Sequence, residues 1–485
     1  MTSNFTFIDL FAGIGGFRIA LQNVGGHCLG FSEIAPDAID TYCKNFDSTQ
    51  ETNFGDIRKI TDMPTHDFMT AGVPCQSWSI AGKNLGFDDN RGQLWNDTLY
   101  LLNKCRPQAF IFENVKGLSD PRNREALEYI MQKIKEAGYY AQKYVINACD
   151  YGVPQTRVRI YIVGFKNETY FKRFQLPNKV ENQTYLSNIL DGCINLPKQV
   201  LEAAQKQPLQ SLSCNEQGFN DYFLFNDLRN GETTIHSWDI EETSERQKHI
   251  CMLLLKNRRK PCYGDLDGNP LSVKHFQDLD ETITENELEQ LVNIGILKKI
   301  AYKFVIIKNN GNTTANETFI LSFAENGVIN IDSLKNKREI KLKKIIVNDE
   351  LKKLVDKNII QCIEERFDFR NSKISTGLYG INRIFLPSSK IYPTLVASDT
   401  NDFVSTVDIK ARTITEFRDK FMKEVYFPKK FRRISKKEAC RVQGFPDNFL
   451  LPETRPKWMK LIGNSVSVPV VQVIAQSVVN TGVFQ

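Results

Sequence analysis

Among its 11 cysteines the 485-residue sequence has no Cys-x-x-Cys pair, and its 5 histidines (His27, His66, His236, His249, His275) do not fall at metal-ligand spacing. A structural zinc site and a disulfide framework are thereby excluded as organising devices, and no metal is expected. The opening residues, Met1 to Leu10, lack a basic start with a small-residue cleavage site, and no uninterrupted apolar run approaches a bilayer's width. A cytoplasmic protein with no membrane partner is expected. A large charge excess is missing too: 63 basic and 57 acidic residues leave a net charge of +6, which permits nucleic acid as a partner without demanding it. Neither a low-complexity tract nor an internal repeat is visible.

What is present is the composition of a globular chain, 41% hydrophobic and 25% charged, long enough for two or more lobes. Up to residue 166, short apolar runs alternate with amphipathic stretches. The runs are Phe5 to Phe11, Cys28 to Ser32, Phe68 to Val73, Ala109 to Phe112 and Arg159 to Phe165, with helical spacing in Gly92 to Cys105 and Asn123 to Ala137. Such alternation predicts a doubly wound α/β sheet. After Lys166 the rhythm changes to a mixed α+β lobe, 167–425, carrying a large insertion. Within it, residues 245 to 308 suggest a helix-and-strand subdomain ending in the β-forming run Lys299 to Lys308. From Ile434 the chain is helical again, with Ser435 as N-cap and Val466 to Val479 as a closing apolar helix, so that 426–485 returns to the first lobe, 1–166.

The first strand runs into Phe11-Ala12-Gly13-Ile14-Gly15-Gly16 and then a helix, an arrangement that receives a nucleotide-like ligand at a sheet's carboxyl edge. Glu33, after the second strand, is placed to bind both ribose hydroxyls, and Asp56 in Gly55-Asp56-Ile57 lies toward an adenine edge. The loop by itself suits a dinucleotide as well as a methyl donor, and a purely structural turn is the bland alternative.

Cys75 follows the strand Phe68 to Val73 in Pro74-Cys75-Gln76. At that edge, between a rigid proline and polar residues, its thiolate is available as a nucleophile, whereas an ordinary cysteine is a small buried hydrophobe. Glu113 follows four apolar residues, so its pKa should be raised, useful for protonating a base ring nitrogen. Arg157 and Arg159, two apart before the strand Ile160 to Val163, should point the same way. Both would then face the site, clamping a base carbonyl and orienting Glu113.

Together, Asp9-Leu10-Phe11-Ala12-Gly13-Ile14-Gly15-Gly16, Pro74-Cys75-Gln76, Arg91-Gly92-Gln93-Leu94, Glu113-Asn114-Val115 and Gln155-x-Arg157-x-Arg159 resemble the ordered motifs of DNA (cytosine-5)-methyltransferases of the bacterial restriction-modification type. The likeness resumes at Arg383, Pro393-Thr394-Leu395, Arg441-Val442-Gln443-Gly444-Phe445-Pro446 and Gly463-Asn464-Ser465-Val466. It covers about residues 1 to 166 and 380 to 485. The resemblance implies a catalytic lobe that binds S-adenosylmethionine, a target-recognition lobe between, and a returning C-terminal segment. By resemblance Phe11, Gly13, Gly15, Glu33, Ile34, Asp56, Ile57, Pro74, Leu94, Asn464, Ser465 and Val466 line the cofactor pocket. Ile34 departs from the family, which often places a bulkier ring there, as does Ala81, where relatives can carry a hydroxyl.

The implied chemistry is methylation of C5 of a cytosine flipped out of duplex DNA. Cys75 adds at C6, Glu113 serves N3, and the residues from Gln76 to Arg91 form a lid. S-adenosylhomocysteine is the other product. Basic clusters at Lys256 to Lys260, Lys335 to Lys344 and Lys429 to Lys437 are available for phosphates. A monomer associated with the nucleoid, with a cognate restriction endonuclease as partner, is expected. A tRNA-directed relative is disfavoured by the long variable region. A catalytically silent DNA-binding scaffold is disfavoured by intact Cys75, Glu113, Arg157 and Arg159. A nicotinamide oxidoreductase would leave Pro74-Cys75-Gln76 and Gly463-Asn464-Ser465 unexplained.

Overall fold

The structure is a computed structural model that describes residues 5–49, 51–74, 93–180, 184–192, 222–225, 227–229, 234–308, 312–335, 337–343, 345–372, 376–389 and 391–485. Its N-terminal part is a seven-stranded sheet. The strands are β1 (Phe5–Leu10), β2 (Gly26–Ser32), β3 (Thr52–Asn53), β4 (Phe68–Gly72), β5 (Ala109–Val115), β6 (Tyr140–Asn147) and, after the short β7 (Gln155–Thr156), β8 (Val158–Phe165), ordered β3-β2-β1-β4-β5-β8-β6. Strands β3, β2, β1, β4 and β5 run parallel, and β8 is antiparallel to both β5 and β6. The helices α1 (Gly16–Gln22), α2 (Pro36–Asn45), α3 (Leu94–Cys105) and α4 (Arg124–Glu136) make the crossovers, giving the doubly wound α/β fold.

Strands β1, β4 and β5 are apolar runs because helices cover both faces of a parallel sheet. The edge strand β6 escapes the sequence reading for the converse reason: most of Tyr140–Asn147 is exposed or half-buried, so Gln142 and Lys143 interrupt any apolar run. With β1, β2, β4 and β5 parallel, Leu10, Ser32, Gly72 and Val115 all end at one sheet edge.

The C-terminal residues close this lobe. Helices α12 (Lys436–Gln443), α13 (Arg455–Asn464) and α14 (Val468–Asn480) pack on it, and Ser435 is the N-cap expected, accepting from the Glu438 N–H. Val471, Ile474, Ala475 and Val478 of α14 share one core with Phe17, Ala20 and Leu21 of α1. Each of the larger side chains here, the Val, Ile, Leu and Phe, contributes about 1.5–3 kcal/mol by leaving water. The helical stretch Arg455–Asn480 has the length and apolarity to cross a membrane, yet it breaks at Ser465 to Ser467 and is largely buried in this core.

Residues 222–224, 383–385, 402–405 and 431–432 form a four-stranded sheet, and Tyr392–Pro393 pairs with β7. Between them lies a unit that corrects the expectation of no internal repeat. Helices α5 (Glu245–Asn257), α6 (Val273–Leu279) and α7 (Glu285–Asn293) lead into strand β9 (Leu297–Ile306). After these, α8 (Ala315–Leu321), α9 (Ile331–Lys335), α10 (Arg338–Leu342) and α11 (Val347–Asp356) lead into strand β10 (Ile360–Phe369).

Glu287-Leu288-x-x-Leu291-Val292-x-x-Gly295-Ile296-Leu297 returns, 63 positions on, as Glu350-Leu351-x-x-Leu354-Val355-x-x-Asn358-Ile359-Ile360. The backbone repeats with it. Gly295 and Asn358 both take left-handed φ angles (82° and 53°), the Ile296 N–H bonds to Leu291 O, and the Ile359 N–H bonds to Leu354 O. The antiparallel pairing of β9 with β10 matches Leu297 to Phe369 and Ile306 to Ile360, so a pseudo-twofold axis passes between the strands. Each unit completes the other's core: Phe367 and Phe369 join the first cluster, and Tyr302 and Phe304 the second. The repeat is hidden in the sequence because little beyond the buried positions matches; Asp278, Asp280, Glu281 and Glu289 are answered by Lys341, Lys343, Lys344 and Lys352.

Candidate functional site

Beyond β1, Phe11 takes a φ of 55°, rare for a bulky residue, and Gly13 (57°) and Gly15 (87°) complete the reversal into α1. A Cβ at Gly13 would meet nothing within 4 Å, so the outer face of this loop is open. Gly16 is glycine for the opposite reason: its Cβ would lie 2.8 Å from both Ser465 Oγ and Val466 Cγ2. Here the first motif and the last are packed against each other.

Glu33 accepts the Gly13 N–H on one oxygen at 2.9 Å and the Ile34 and Ala35 N–H groups on the other at 2.8 Å. One carboxylate thus joins the glycine turn to the start of α2. Ile34 is 63% exposed, an uncovered apolar surface beside that carboxylate. Ser32 Oγ donates to Gly55 O at 2.6 Å, holding the Gly55-Asp56 turn next to Glu33. Asp56 caps the 57–59 turn and pairs with Arg58 at 2.6 Å, which holds its carboxyl below the usual range. Ile57 is buried, Pro74 and Leu94 are half-buried, Asn464 is exposed, and Ser465 and Val466 are buried. An open glycine turn, two carboxylates and an exposed apolar side chain fit a nucleoside that carries a cationic group.

Two strands away, β4 and β5 set Gly72 opposite Glu113, and Asn114 Nδ2 donates to Val73 O at 3.2 Å, fixing the chain where it leaves β4. Cys75, like Ala81 and the span from Gln76 to Arg91, lies outside the described residues. Glu113 is buried, and burial pushes its pKa up against the opposing pull of Arg159 and Arg157. Arg159 Nε lies 3.0 Å from Glu113 Oε1.

Of the two arginines expected to face this carboxylate, Arg159 pairs with it directly, while Arg157 acts on it through its charge and turns its guanidinium to backbone carbonyls. The strand is interrupted between Thr156 and Val158, and the Arg157 guanidinium donates to the carbonyls of Leu395, at 3.2 Å, Gly463, at 3.2 and 3.3 Å, and Ser465. Gln443 Nε2 adds a bond to Ile462 O at 2.9 Å. Arg157 and Gln443 therefore hold the Gly463 to Ser465 loop against Gly16. The sequence carries both residues but not these contacts, because the partners lie hundreds of positions apart or beyond a helix end.

Asp9, the charged member of an otherwise apolar strand, received no role in the sequence reading. It is fully buried, its Oδ1 accepts from Thr70 Oγ1 at 2.8 Å, and burial pushes its pKa up to about 8. Arg383, another motif residue, forms a buried two-point pair with Asp402 at 2.6 and 2.8 Å that braces the second lobe rather than the site.

The family model described as C-5 cytosine-specific DNA methylase matches residues 5–480. The type II methyltransferase M.HgiBI of Herpetosiphon aurantiacus is 37% identical, over 99% of this chain and 98% of its own length. The type II methyltransferase M.NlaIV of Neisseria lactamica is 28% identical over 98% and 99% of the two chains. M.HhaI of Haemophilus parahaemolyticus is 39% identical over 38% of this chain and 56% of its own. Among solved structures, Dnmt2 of S. pombe aligns at 13% identity with a TM-score of 0.47, covering 98% of both chains.

Proposed function

The chain belongs to the C-5 cytosine-specific DNA methylase family, and from that premise we propose that it methylates a cytosine flipped out of a specific duplex sequence through a covalent bond from Cys75 to C6. As a member it is a DNA cytosine-5 methyltransferase of the restriction-modification type that uses S-adenosylmethionine. The observation that carries the finer reading is Glu113: a buried carboxyl with raised pKa, aligned by Arg159, opposite the end of the strand that leads into Pro74 and Cys75.

Cytosine C5 is too weak a nucleophile to take a methyl group unaided. Addition of the Cys75 thiolate at C6, with Glu113 donating a proton to N3, makes C5 enamine-like. S-adenosylmethionine, when bound, supplies an electrophilic sulfonium methyl. Loss of the C5 proton, elimination of the thiolate and return of the N3 proton to Glu113 then restore the aromatic ring and free Cys75. Arg159 keeps the Glu113 carboxyl turned toward the base. Arg157 is a positioning residue that fixes the loop at Asn464 to Val466.

Phe11, Gly13, Gly15, Glu33, Ile34, Asp56, Ile57, Pro74, Leu94 and Asn464 to Val466 would hold the cofactor, with Glu33 toward the ribose and Ile34 and Asp56 toward the adenine. Residues 1–166 with 426–485 serve as the catalytic lobe and 167–425 as the target-recognition lobe. The enzyme acts as a monomer on nucleoid DNA in the cytoplasm, protecting sites cut by a cognate endonuclease.

Methyl transfer from labelled S-adenosylmethionine should label cytosine in mixed-sequence duplex DNA, and Cys75→Ser should abolish the label while leaving cofactor binding intact. Label in tRNA alone would overturn the choice of substrate. Undiminished transfer by the Cys75→Ser variant would overturn the covalent step.

A further inference from the structure

The two halves of the 245–369 insertion share a fold but have opposite surfaces. In the first unit two of these acids are internally matched: Asp280 pairs with Arg246 at 2.8 Å and His249 at 3.3 Å, and Glu289 pairs with Lys299. At the same fold positions in the second unit stand Lys343 and Lys352, both exposed, and among the described residues no acid pairs with either. Lys343 lies over the Phe319 ring at 3.7 Å and Lys337 over the Phe323 ring at 5.8 Å, and those two rings meet edge to face at 5.1 Å. Among the described residues no acid pairs with either ammonium group, and the two are held side by side on one aromatic ledge.

Apolar positions diverge in the same place. Ile283 is buried and Leu279 packs against the core of the first unit, whereas their counterparts Ile346 and Leu342 are 66% and 70% exposed. Lys343 stands where the first unit has Asp280, Leu342 and Ile346 are exposed where the first unit makes core contacts, and Lys337, whose counterpart Lys274 is also a lysine, adds a second cation beside them. Together they mark a face turned to a polyanion with apolar edges.

Given that the enzyme acts on DNA, we infer that the second unit docks on duplex DNA, with Lys337 and Lys343 on phosphates and Leu342 and Ile346 against the adjoining groove wall, and that the first unit is its brace. Duplication supplied two copies of one scaffold; reversal of charge gave one of them the contact. The inference rests on the proposed DNA substrate and adds a contact outside the catalytic lobe.

The test uses the full-length enzyme and the double variant K337E/K343D; the second change installs the residue that the first unit already carries at that position. Duplex affinity of a 30-base-pair target should fall at least tenfold. The slope of log K against log salt should become shallower by about 2, since each phosphate contact contributes about 0.9. Thermal melting and binding of S-adenosylhomocysteine should match the parent, and Glu281→Lys in the first unit should leave duplex affinity where it was. Parent-like affinity and salt slope in the double variant would overturn the inference. So would a parent dimer dissociated by Leu342→Asp, which would assign the face to a second copy. Failure of the parent to label any DNA would instead overturn the proposed substrate, a separately readable result.

Discussion

Arg159 places its Nε 3.0 Å from Glu113 Oε1 across neighbouring antiparallel strands, with both side chains largely shielded from solvent. Burial raises the pKa of the acid while the guanidinium lowers it, and burial is the larger effect. The carboxyl therefore holds a proton more readily than an exposed glutamate does. Glu113→Gln keeps the shape but cannot pass a proton. It should lower kcat by about 10²–10⁴-fold, the usual worth of a positioned acid or base. Steady-state labelling of duplex DNA measures this, and a loss below tenfold would remove Glu113 from proton transfer.

Arg157→Lys tests the clamp. A lysine cannot span the carbonyls of Leu395, Gly463 and Ser465 that the guanidinium bridges. A buried carbonyl left without its donor costs about 1–3 kcal/mol. The variant should unfold at lower urea concentration with an unchanged slope, and its KM for the methyl donor should rise more than its kcat falls. An effect on kcat alone would place Arg157 at the base instead of behind the cofactor loop.

Gly16→Ala adds one methyl group where 2.8 Å separates it from Ser465 Oγ and Val466 Cγ2. Overpacking of this kind costs about 1–3 kcal/mol, and the displaced residues belong to the proposed cofactor pocket. Isothermal titration with S-adenosylhomocysteine should show weakened binding. Unchanged affinity together with unchanged melting would show that the two motifs are not in contact.

Asp9 gives a pH dependence whose sign can be worked out. Its folded pKa of about 8 lies above the ordinary 3.8, so the native state binds the extra proton between those values. The contribution is complete below about pH 4 and is lost as pH rises toward 8. Asp9→Asn removes it, so the variant's urea midpoint should decline less than the parent's between about pH 5 and pH 8.5. Parallel pH profiles would mean that Asp9 does not carry the proton.

The sheet was legible where burial on both faces wrote apolar runs, as in Phe68–Gly72 and Ala109–Val115. It was illegible at Tyr140–Asn147, whose edge position admits lysine and glutamine. Glu113 and Arg159 could be matched from local pattern because they lie on adjacent strands. The Arg157 contacts could not, since no local pattern reveals a bond from residue 157 to the carbonyl of residue 463. The duplication was masked for a different physical reason. A helix-and-strand scaffold is specified by a few buried positions such as Leu288 and Leu351, and its solvent side had been free to reverse its charge.

The contact between Gly16 and Val466 also sets a clock. At roughly 5–20 residues per second, a ribosome needs tens of seconds to travel from one to the other. Throughout that interval the apolar face of α1, with Phe17, Ala20 and Leu21, waits for a helix not yet made. A chain that stops before α14 therefore leaves that apolar face of α1 without the helix that covers it.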